Sequence, residues 1–328
     1  MARVVVTGGS GFVGSHLVDA LIARGDEVVV LGTREAPRPP SSLWEKAEYV
    51  RGSVASREDL ERAIGPGTDT VYHLAALVGV DSCLDSQLRV VDTNLSGTGN
   101  VAERALEVGA SLVHASTSEV IGKNPRAPWD EEADRVLGST AESTWAYSSS
   151  KALAEHLVFG YIREKGLRAA IVRYFNLYGP RQRPAFLISR SIHRTLRGER
   201  PLVYDRGEQK RSFTFVGDAV EATLLVGESP EANGLCFNVG DEGEISIRAA
   251  VEMIVELTGT VDGITEMETT SRSGASHRGL DRNVPDTSRI RSLLGWRATT
   301  PLRDGLTKTV HWARENPWWL DGPESTSH

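Results

Sequence analysis

A tyrosine and a lysine four residues apart, Tyr147 and Lys151, are the residues of this 328-residue chain best suited to acid–base chemistry. Their surroundings predict a helix over residues 146–161, and a spacing of i, i+4 places both side chains on one helix face. A free phenol, with a pKa of about 10, is a poor base at neutral pH, but a neighbouring ammonium lowers that pKa. We therefore predict that Tyr147 is a general base supported by Lys151.

Three polar residues, Thr117, Ser118 and Glu119, follow a predicted fifth strand over residues 111–115. Parallel sheets place their active sites at the C-terminal ends of their strands. We therefore predict that these three residues join Tyr147 and Lys151 in one catalytic group.

A glycine-rich stretch, Thr7-Gly8-Gly9-Ser10-Gly11-Phe12-Val13-Gly14, separates a β-branched strand from a helical pattern. Its glycines allow a tight turn and close approach of the backbone to a pyrophosphate, while the helix N-terminus offers free N–H groups. The strand–turn–helix context predicts a bound dinucleotide. Tyr147 would then deprotonate a substrate hydroxyl as a hydride leaves for an oxidised nicotinamide ring.

The predicted cofactor contacts come from this turn, the ends of later strands, one further helix and the catalytic helix: Gly8, Ser10, Gly11, Phe12, Val13, Gly14, Thr33, Arg34, Leu74, Ala75, Ala76, Asn94, Tyr147 and Lys151. The second strand lacks the acidic residue that commonly follows it and binds the adenosine ribose of NAD. Gly32 leaves room for a 2′-phosphate and Arg34 can pair with it, so between NAD and NADP the pattern favours NADP. The alternative is that Arg34 is a solvated loop residue and Glu35 reaches the ribose.

The composition excludes several classes of protein. A net charge of −7 provides no positive field for nucleic acid. The two cysteines, Cys83 and Cys236, lie in segments of buried character and are too few for a disulfide framework or a cysteine-based metal site, which predicts no metal and a reducing cytoplasm. A strand beginning at residue 3 and the lack of any apolar run near ~18 residues predict a protein neither exported nor membrane-spanning.

Arginines in the C-terminal half are candidates for binding an anionic substrate. Guanidinium groups capture diphosphates bidentately, and we assign Arg211 and Arg282 to this task. The alternative for each is a surface ion pair. Asn176 and Arg181, in and just after the turn that follows the sixth strand, complete the predicted substrate contacts.

Several motifs resemble those of the extended short-chain dehydrogenase/reductase superfamily. They are the glycine turn, the Tyr-x-x-x-Lys pair, Asn-x-x-Gly-Thr-x-Asn at 94–100 and Arg-x-x-Asn-x-Tyr-Gly-Pro at 173–180, and the resemblance runs from residue 3 to about 312. Within the nucleotide-sugar branch, the motifs are most similar to those of UDP-glucuronate decarboxylases, at residues 116–120, 128–129, 137–138, 145–151 and 209–214.

The resemblance implies a cytoplasmic enzyme that forms a homodimer. It also implies that the enzyme transiently oxidises carbon 4 of a nucleotide sugar, expected to be UDP-linked, with bound NAD(P). Glu119 favours decarboxylation, because a 4-epimerase needs no acid there. The arginine of aminoarabinose-type decarboxylases falls on Asn283, however, with Arg282 beside it. A UDP-sugar or UDP-uronate 4-epimerase therefore stays as the alternative, followed by a 4,6-dehydratase and a non-catalytic NAD(P)-binding regulator.

The predicted fold class is α/β, with a Rossmann-type doubly wound parallel sheet and a smaller C-terminal α/β substrate domain. The first domain covers residues 1–177 and about 212–240, the second about 178–211 and 241–320, and 321–328 form a disordered tail. Further strands are predicted over 48–54 and 69–76, the latter with His73 as a structural residue. The charged segment 123–145 is a lid candidate or, alternatively, a solvated insertion.

Overall fold

A computed structural model describes residues 1–34, 42–78, 80–268 and 282–322, without the side chains of residues 42 and 80–85. Seven parallel strands form the central sheet in the order β11-β6-β5-β4-β1-β2-β3. Their bounds are β1 Arg3–Thr7, β2 Glu27–Gly32, β3 Glu48–Arg51, β4 Thr70–His73, β5 Ser111–Thr117, β6 Ala169–Tyr174 and β11 Cys236–Val239. The order reverses at β1, which confirms the predicted doubly wound Rossmann-type sheet.

Both faces of the sheet are covered because its strands are apolar on both sides. In β1, Val4 and Val6 pack into one buried cluster, while Val5 faces the cluster on the opposite side. The helices around the sheet are α1 Phe12–Arg24, α2 Arg57–Ala63, α3 Val80–Val108, α4 Ala146–Lys165 and α6 Val216–Glu228. Helices α1 and α6 contribute to the first cluster, and α2, α3 and α4 to the second.

Several element boundaries differ from the sequence prediction. Strand β3 ends at Arg51 rather than 54, and β4 ends at His73, so Leu74 to Ala76 form a loop. Strand β5 continues to Thr117 because it pairs with β6 as far as Tyr174. Helix α4 continues to Lys165 and ends where Gly166 adopts a left-handed φ of 72°.

A third apolar cluster lies in the C-terminal half of the chain. It packs helices α5 Leu187–Leu196, α7 Ile247–Thr258, α9 Leu302–Glu315 and α10 Pro317–Leu320 around Ile192, Ile254 and Leu306. Short strands surround it: β7 Leu177–Tyr178, β8 Leu202–Tyr204, β9 Lys210–Arg211, β10 Thr214–Phe215, β12 Ile245–Ser246, β13 Thr265–Met267 and β14 Arg282–Asn283. Helix α8, Ser288–Leu294, packs its Ile290 and Leu294 into the first cluster of the central sheet instead. The domain boundaries given above stay a prediction.

Some predictions fall outside the described residues. These are Glu35, the side chain of Cys83 and the tail beyond residue 322. The thiol of Cys236 is buried as predicted. In the described part of the chain, no helix is both long and apolar enough to cross a membrane.

Candidate active site

The glycine turn leaves a cradle that side chains would fill. Gly8 has a φ of 70°, and a Cβ atom there would lie 2.7 Å from the amide nitrogen of Ala75. A Cβ atom on Gly14 would lie 2.4 Å from the carbonyl oxygen of Gly8. Gly11 precedes α1 and caps it with no side chain, so the N–H groups of the first turn face the cradle without a side-chain acceptor. These features fit a dinucleotide pyrophosphate.

Arg34 lies beside this cradle. Its Nη1 donates to the carbonyl oxygen of Ser10 at 3.3 Å, and its own carbonyl accepts from the hydroxyl of Tyr49 at 2.8 Å. A Cβ atom on Gly32 would lie 2.9 Å from that hydroxyl, so the close approach requires glycine. Thr33, next to Arg34, is exposed.

Asn94 fixes the loop that contains the predicted contacts Leu74, Ala75 and Ala76. Its buried amide oxygen accepts from the N–H of Leu77 at 2.9 Å. Its amide nitrogen donates to the carbonyl of Leu77 at 3.2 Å and to the hydroxyl of Ser150 at 3.1 Å. These bonds occupy the amide within the protein, which indicates that Asn94 aligns the loop with α4.

His73 is held within the sheet, in the structural position predicted for it. Its ring nitrogens lie 2.7 Å from the hydroxyl of Thr7 and 3.1 Å from that of Thr98. Burial lowers its pKa to about 3, so the imidazole is neutral at physiological pH.

The pair Tyr147 and Lys151 lies on the first two turns of α4, and both side chains are buried. The Lys151 ammonium donates to the carbonyl oxygen of Ala115, in β5, at 2.5 Å. Burial lowers its pKa from 10.5 to about 8, so the amine keeps its proton at neutral pH but sits near its titration point.

The polar residues at the end of β5 adjoin this pair. The Thr117 hydroxyl accepts from the N–H of Glu119 at 3.2 Å and so begins a single 3₁₀ turn. The hydroxyl of Ser118 accepts from Nδ2 of Asn283 at 3.3 Å. The partly buried Glu119 carboxyl has no hydrogen-bond partner among the described residues, and burial raises its pKa from 4.5 to about 7. It can therefore both accept and donate a proton near neutral pH.

Two of the predicted substrate residues lie near this polar end, Asn176 partly buried and Arg211 buried. Asn176 adopts a φ of 40°, and its buried Nδ2 has no partner within the described chain. Arg211 is buried in β9 and donates to the carbonyl of Lys210 and to Oε1 of Gln209, each at 2.8 Å. Strand β9 pairs with β14, which places Arg211 opposite Asn283.

The other two predicted substrate residues form ion pairs. Arg181, with a φ of 70°, contacts Asp19 of α1 at 2.7 Å. The more exposed Arg282 contacts the carboxylate of Glu244 at 2.7 and 3.0 Å. For Arg282, this contact matches the alternative to diphosphate binding, in which the arginine forms a surface ion pair.

A buried ion pair adjoins the helix of Tyr147 and Lys151, and no role was predicted for it. Glu155 forms a bidentate ion pair with Arg173 of β6, with distances of 2.9 and 2.6 Å. The signal was present, since Glu155 continues the spacing of four residues from Tyr147 and Lys151, and Arg173 begins the Arg-x-x-Asn motif.

The first half of the lid candidate, residues 123–136, is tied to the body of the molecule. Trp129 is fully buried, its N–H donates to the carbonyl of Val284 at 2.9 Å, and its carbonyl accepts from Nδ2 of Asn238 at 2.8 Å. The Nη1 group of Arg173 donates to the carbonyl of Glu131 at 2.8 Å. These contacts attach this half to β6, to β11 and to the segment before α8, and the lid interpretation of residues 123–145 stays a prediction.

Comparison with known proteins agrees with this architecture. Residues 4–240 match the family model described as "NAD dependent epimerase/dehydratase family". The chain belongs to this family. It is 33% identical, over 95% of its length and 98% of the relative's, to a UDP-N-acetyl-alpha-D-glucosaminuronate decarboxylase of Bacillus cytotoxicus.

Two solved structures are similar throughout. The UDP-glucose 4-epimerase of Thermotoga maritima, solved with UDP-glucose, is 27% identical, with a TM-score of 0.87 over 96% of this chain and 99% of its own. MoeE5, solved with UDP-glucuronic acid and NAD, is 30% identical, with a TM-score of 0.83 over 96% of this chain and all of its own (100%). The predicted membership of the NAD(P)-dependent nucleotide-sugar epimerase/dehydratase family is thereby confirmed, and so is the prediction of an NAD(P)-dependent enzyme.

Proposed function

We propose that this enzyme decarboxylates a UDP-linked uronic acid after oxidising it at carbon 4. The supporting observation is Glu119, which follows β5, the strand bonded to the helix of Tyr147. Its carboxyl group has a pKa of about 7 and no hydrogen-bond partner in the described part of the chain. The 33% identical relative is named as a decarboxylase of a UDP-linked uronate, which supports the same choice.

The residues divide the work as follows. Tyr147 takes the proton of the 4-hydroxyl, with the charged Lys151 stabilising its phenolate, and Thr117 hydrogen-bonds the same oxygen. The cradle at Gly8, Gly11 and Gly14 would hold the nicotinamide dinucleotide, which would supply hydride transfer from carbon 4 and back to it. The resulting 4-ketone makes the carbon-6 carboxylate a β-keto acid: the bond from carbon 5 to carbon 6 breaks, carbon dioxide leaves, and the electron pair forms an enolate.

Glu119 completes the reaction at carbon 5. In its protonated form it donates a proton to that carbon and then regains one from solvent. The substrate diphosphate is assigned to Arg211 with Asn176, whose buried amide N–H groups offer an unused donor.

A UDP-uronate 4-epimerase is the second candidate, because Asn283 rather than an arginine faces Ser118. A neutral amide supplies less electrostatic stabilisation to a reacting carboxylate than a guanidinium does. In an epimerase, the 4-keto sugar rotates and is reduced on its other face, and Glu119 has no proton to transfer.

Glu119→Gln separates the two candidates. If the enzyme decarboxylates, the nearly isosteric amide cannot exchange a proton, so product formation should slow at least about tenfold, or about 1.4 kcal/mol. NMR of products from UDP-glucuronate and its N-acetylglucosamine analogue in heavy water should show loss of carbon dioxide and deuterium at carbon 5. The first oxidation, followed by nicotinamide absorbance, should survive as the matched control.

An epimerised product without deuterium at carbon 5 and without loss of carbon dioxide, formed at an unchanged rate by the variant, would replace this proposal with the second candidate. Unfolding is not expected to confuse the result. Burial raises the folded-state pKa of Glu119 above its unfolded value of 4.5, so its ionised form costs stability above that pH. At pH 8 the amide variant should be at least as stable as the parent.

Two finer features belong to the same proposal. We assign NADP as the preferred cofactor on the position of Arg34 beside Ser10 and the lack of an acid after β2. We also assign a homodimer, since Leu88 on α3 and Leu153 on α4 are 87% and 50% exposed. Sedimentation of the protein should give a dimer, and Leu88→Glu/Leu153→Glu should shift it to monomer.

A further inference from the structure

The catalytic helix carries a third buried side chain in line with its catalytic pair. Tyr147, Lys151 and Glu155 are spaced four residues apart on α4, and all three are buried. The proposed reaction uses the first two only. A buried carboxylate needs compensating partners, so its presence one turn below Lys151 calls for an explanation.

Two hydrogen bonds attach this helix face to the strand that ends in the catalytic residues. Lys151 donates to the carbonyl of Ala115 at 2.5 Å, and the hydroxyl of Ser116 donates to Oε1 of Glu155 at 2.5 Å. Ala115 and Ser116 immediately precede Thr117. The two bonds therefore fix the position of α4 along β5, one helical turn apart, and with it the position of Tyr147 relative to Thr117.

Charge adds a second effect. Arg173 of β6 lies on the far side of Glu155 and binds it with two hydrogen bonds. Arg135 faces the same group, while Glu131 and the neutral thiol of Cys236 lie near Arg173. The neutral imidazoles of His73 and His114 also lie near Lys151. Among the described residues, Glu155 is therefore the carboxylate whose charge acts on Lys151, and it also pairs with Arg173.

We propose that Glu155 is a positioning residue of the active site, which holds Lys151 charged and against β5 so that it can support Tyr147. The proposal rests on the proposed function only in taking the Tyr147 and Lys151 pair as the reacting base. It applies equally to decarboxylation and epimerisation, because both begin with oxidation at carbon 4.

Glu155→Gln tests the proposal, because the amide keeps the shape and a hydrogen-bond acceptor but removes the charge. Lysine side-chain NMR of the ligand-free protein, with the Lys151 signal assigned by its loss in Lys151→Arg, gives the midpoint of its titration. Burial sets the parent pKa at about 8, partly offset by Glu155. We expect the midpoint to fall by about one pH unit in Glu155→Gln, which leaves about fivefold less charged lysine at pH 8.

Catalysis supplies the second readout. The rate of the first sugar oxidation falls at alkaline pH as Lys151 loses its proton, and in Glu155→Gln this fall should begin at a correspondingly lower pH. A change that merely loosened the fold would instead lower the rate at every pH. Glu131→Gln is the matched control: it removes another buried carboxylate near Arg173, one that accepts from the backbone N–H of Asn238 at 2.8 Å. Its midpoint and its alkaline limb should stay where the parent has them.

Glu155→Asp keeps the test decisive if the amide variant fails to fold, since it retains the charge on a shorter side chain. Its Lys151 midpoint should stay within a few tenths of a pH unit of the parent, with a slower first oxidation. An unchanged Lys151 midpoint in Glu155→Gln, or an equal fall in Glu131→Gln or Glu155→Asp, would overturn the proposal. Because the titration uses ligand-free protein, it is independent of which product the enzyme makes.

Discussion

Helix α4 and two of the predicted substrate arginines, Arg181 and Arg282, differ in how their charges are held. On α4, Lys151 and Glu155 are buried and bonded to consecutive residues of one strand. Arg181 and Arg282, in contrast, are paired with carboxylates of other elements, and Arg282 is substantially exposed. The acid–base end of the site is thus held rigidly by one helix and one strand, while the binding end is assembled from distant segments.

This difference has an energetic side. Removing one partner of a buried ion pair costs about 3–5 kcal/mol, because the other charge is left unpaired. An exposed pair contributes about 0–1 kcal/mol. Substitutions on α4 should therefore change both activity and stability, whereas those at Arg282 should change little unless the arginine touches substrate.

The largest expected effect comes from Tyr147→Phe. The loss of the base should slow sugar oxidation by about 10²–10⁴-fold, or about 3–5 kcal/mol, while cofactor binding stays nearly intact. Stopped-flow measurement of nicotinamide reduction gives the rate, and fluorescence titration gives the cofactor affinity. Full activity in this variant would show that α4 does not carry the base.

The pH dependence of product formation tests Glu119 as the proton donor at the acid–base end of the site. Because Glu119 donates in its protonated form, the carbon-5 protonation rate should fall about tenfold per pH unit above its pKa of about 7. Deuterium incorporation in single turnovers, measured from pH 6 to 9, reports this step. In Glu119→Gln the step should be slow at all these values and show no limb near 7; a persistent limb there would assign the titration to another group.

The same contrast explains what could be predicted from sequence. The glycine turn, the Tyr147 and Lys151 pair and the parallel sheet follow from local spacing, because turns, helix faces and buried strands are determined by nearby residues. The bond from Asn283 to Ser118 joins residues 165 positions apart, and no local pattern indicates it. The ion pair between Arg181 and Asp19 likewise depends on how the chain returns to α1.

Features that were only partly predicted also depend on the difference between local spacing and contacts of distant residues. The strand end at Thr117 was placed two residues early, because only pairing with β6 reveals how far β5 extends. The contacts of the lid candidate, residues 123–145, could not be predicted, because the buried Trp129 bonds to β11 and to the segment before α8, both far along the chain. Glu155 and Arg173 both stand out in the sequence, by spacing and by motif, but no local pattern indicates that they pair with each other.

Arg211 and Arg282 provide a direct test of the binding end. Arg211→Gln should weaken binding of UDP about tenfold, because a buried guanidinium is well placed for a charge-assisted bond to the diphosphate. Arg282→Gln should weaken it about twofold or less, since its guanidinium is held by Glu244. Calorimetry with UDP measures both, and equal losses would show that the ion pair to Glu244 opens to admit the substrate.

A modest effect is expected at Arg34, on the rim of the cofactor cradle. Its guanidinium reaches the carbonyl of Ser10 but is exposed, so a bond to a 2′-phosphate would be partly screened by solvent. Arg34→Ala should therefore weaken NADP severalfold, up to about tenfold, and NAD hardly at all. Fluorescence titration of both dinucleotides at low and at physiological salt measures the ratio of the two affinities. Arg51→Ala, which alters a neighbouring arginine at the end of β3, is the matched control.

If the affinities for the two dinucleotides respond equally to Arg34→Ala, this arginine does not contact a 2′-phosphate, and the preference for NADP is wrong. A severalfold loss confined to NADP that shrinks as salt is added would instead establish that the guanidinium reads the 2′-phosphate at the exposed rim, where it adds selectivity without the rigidity that α4 requires.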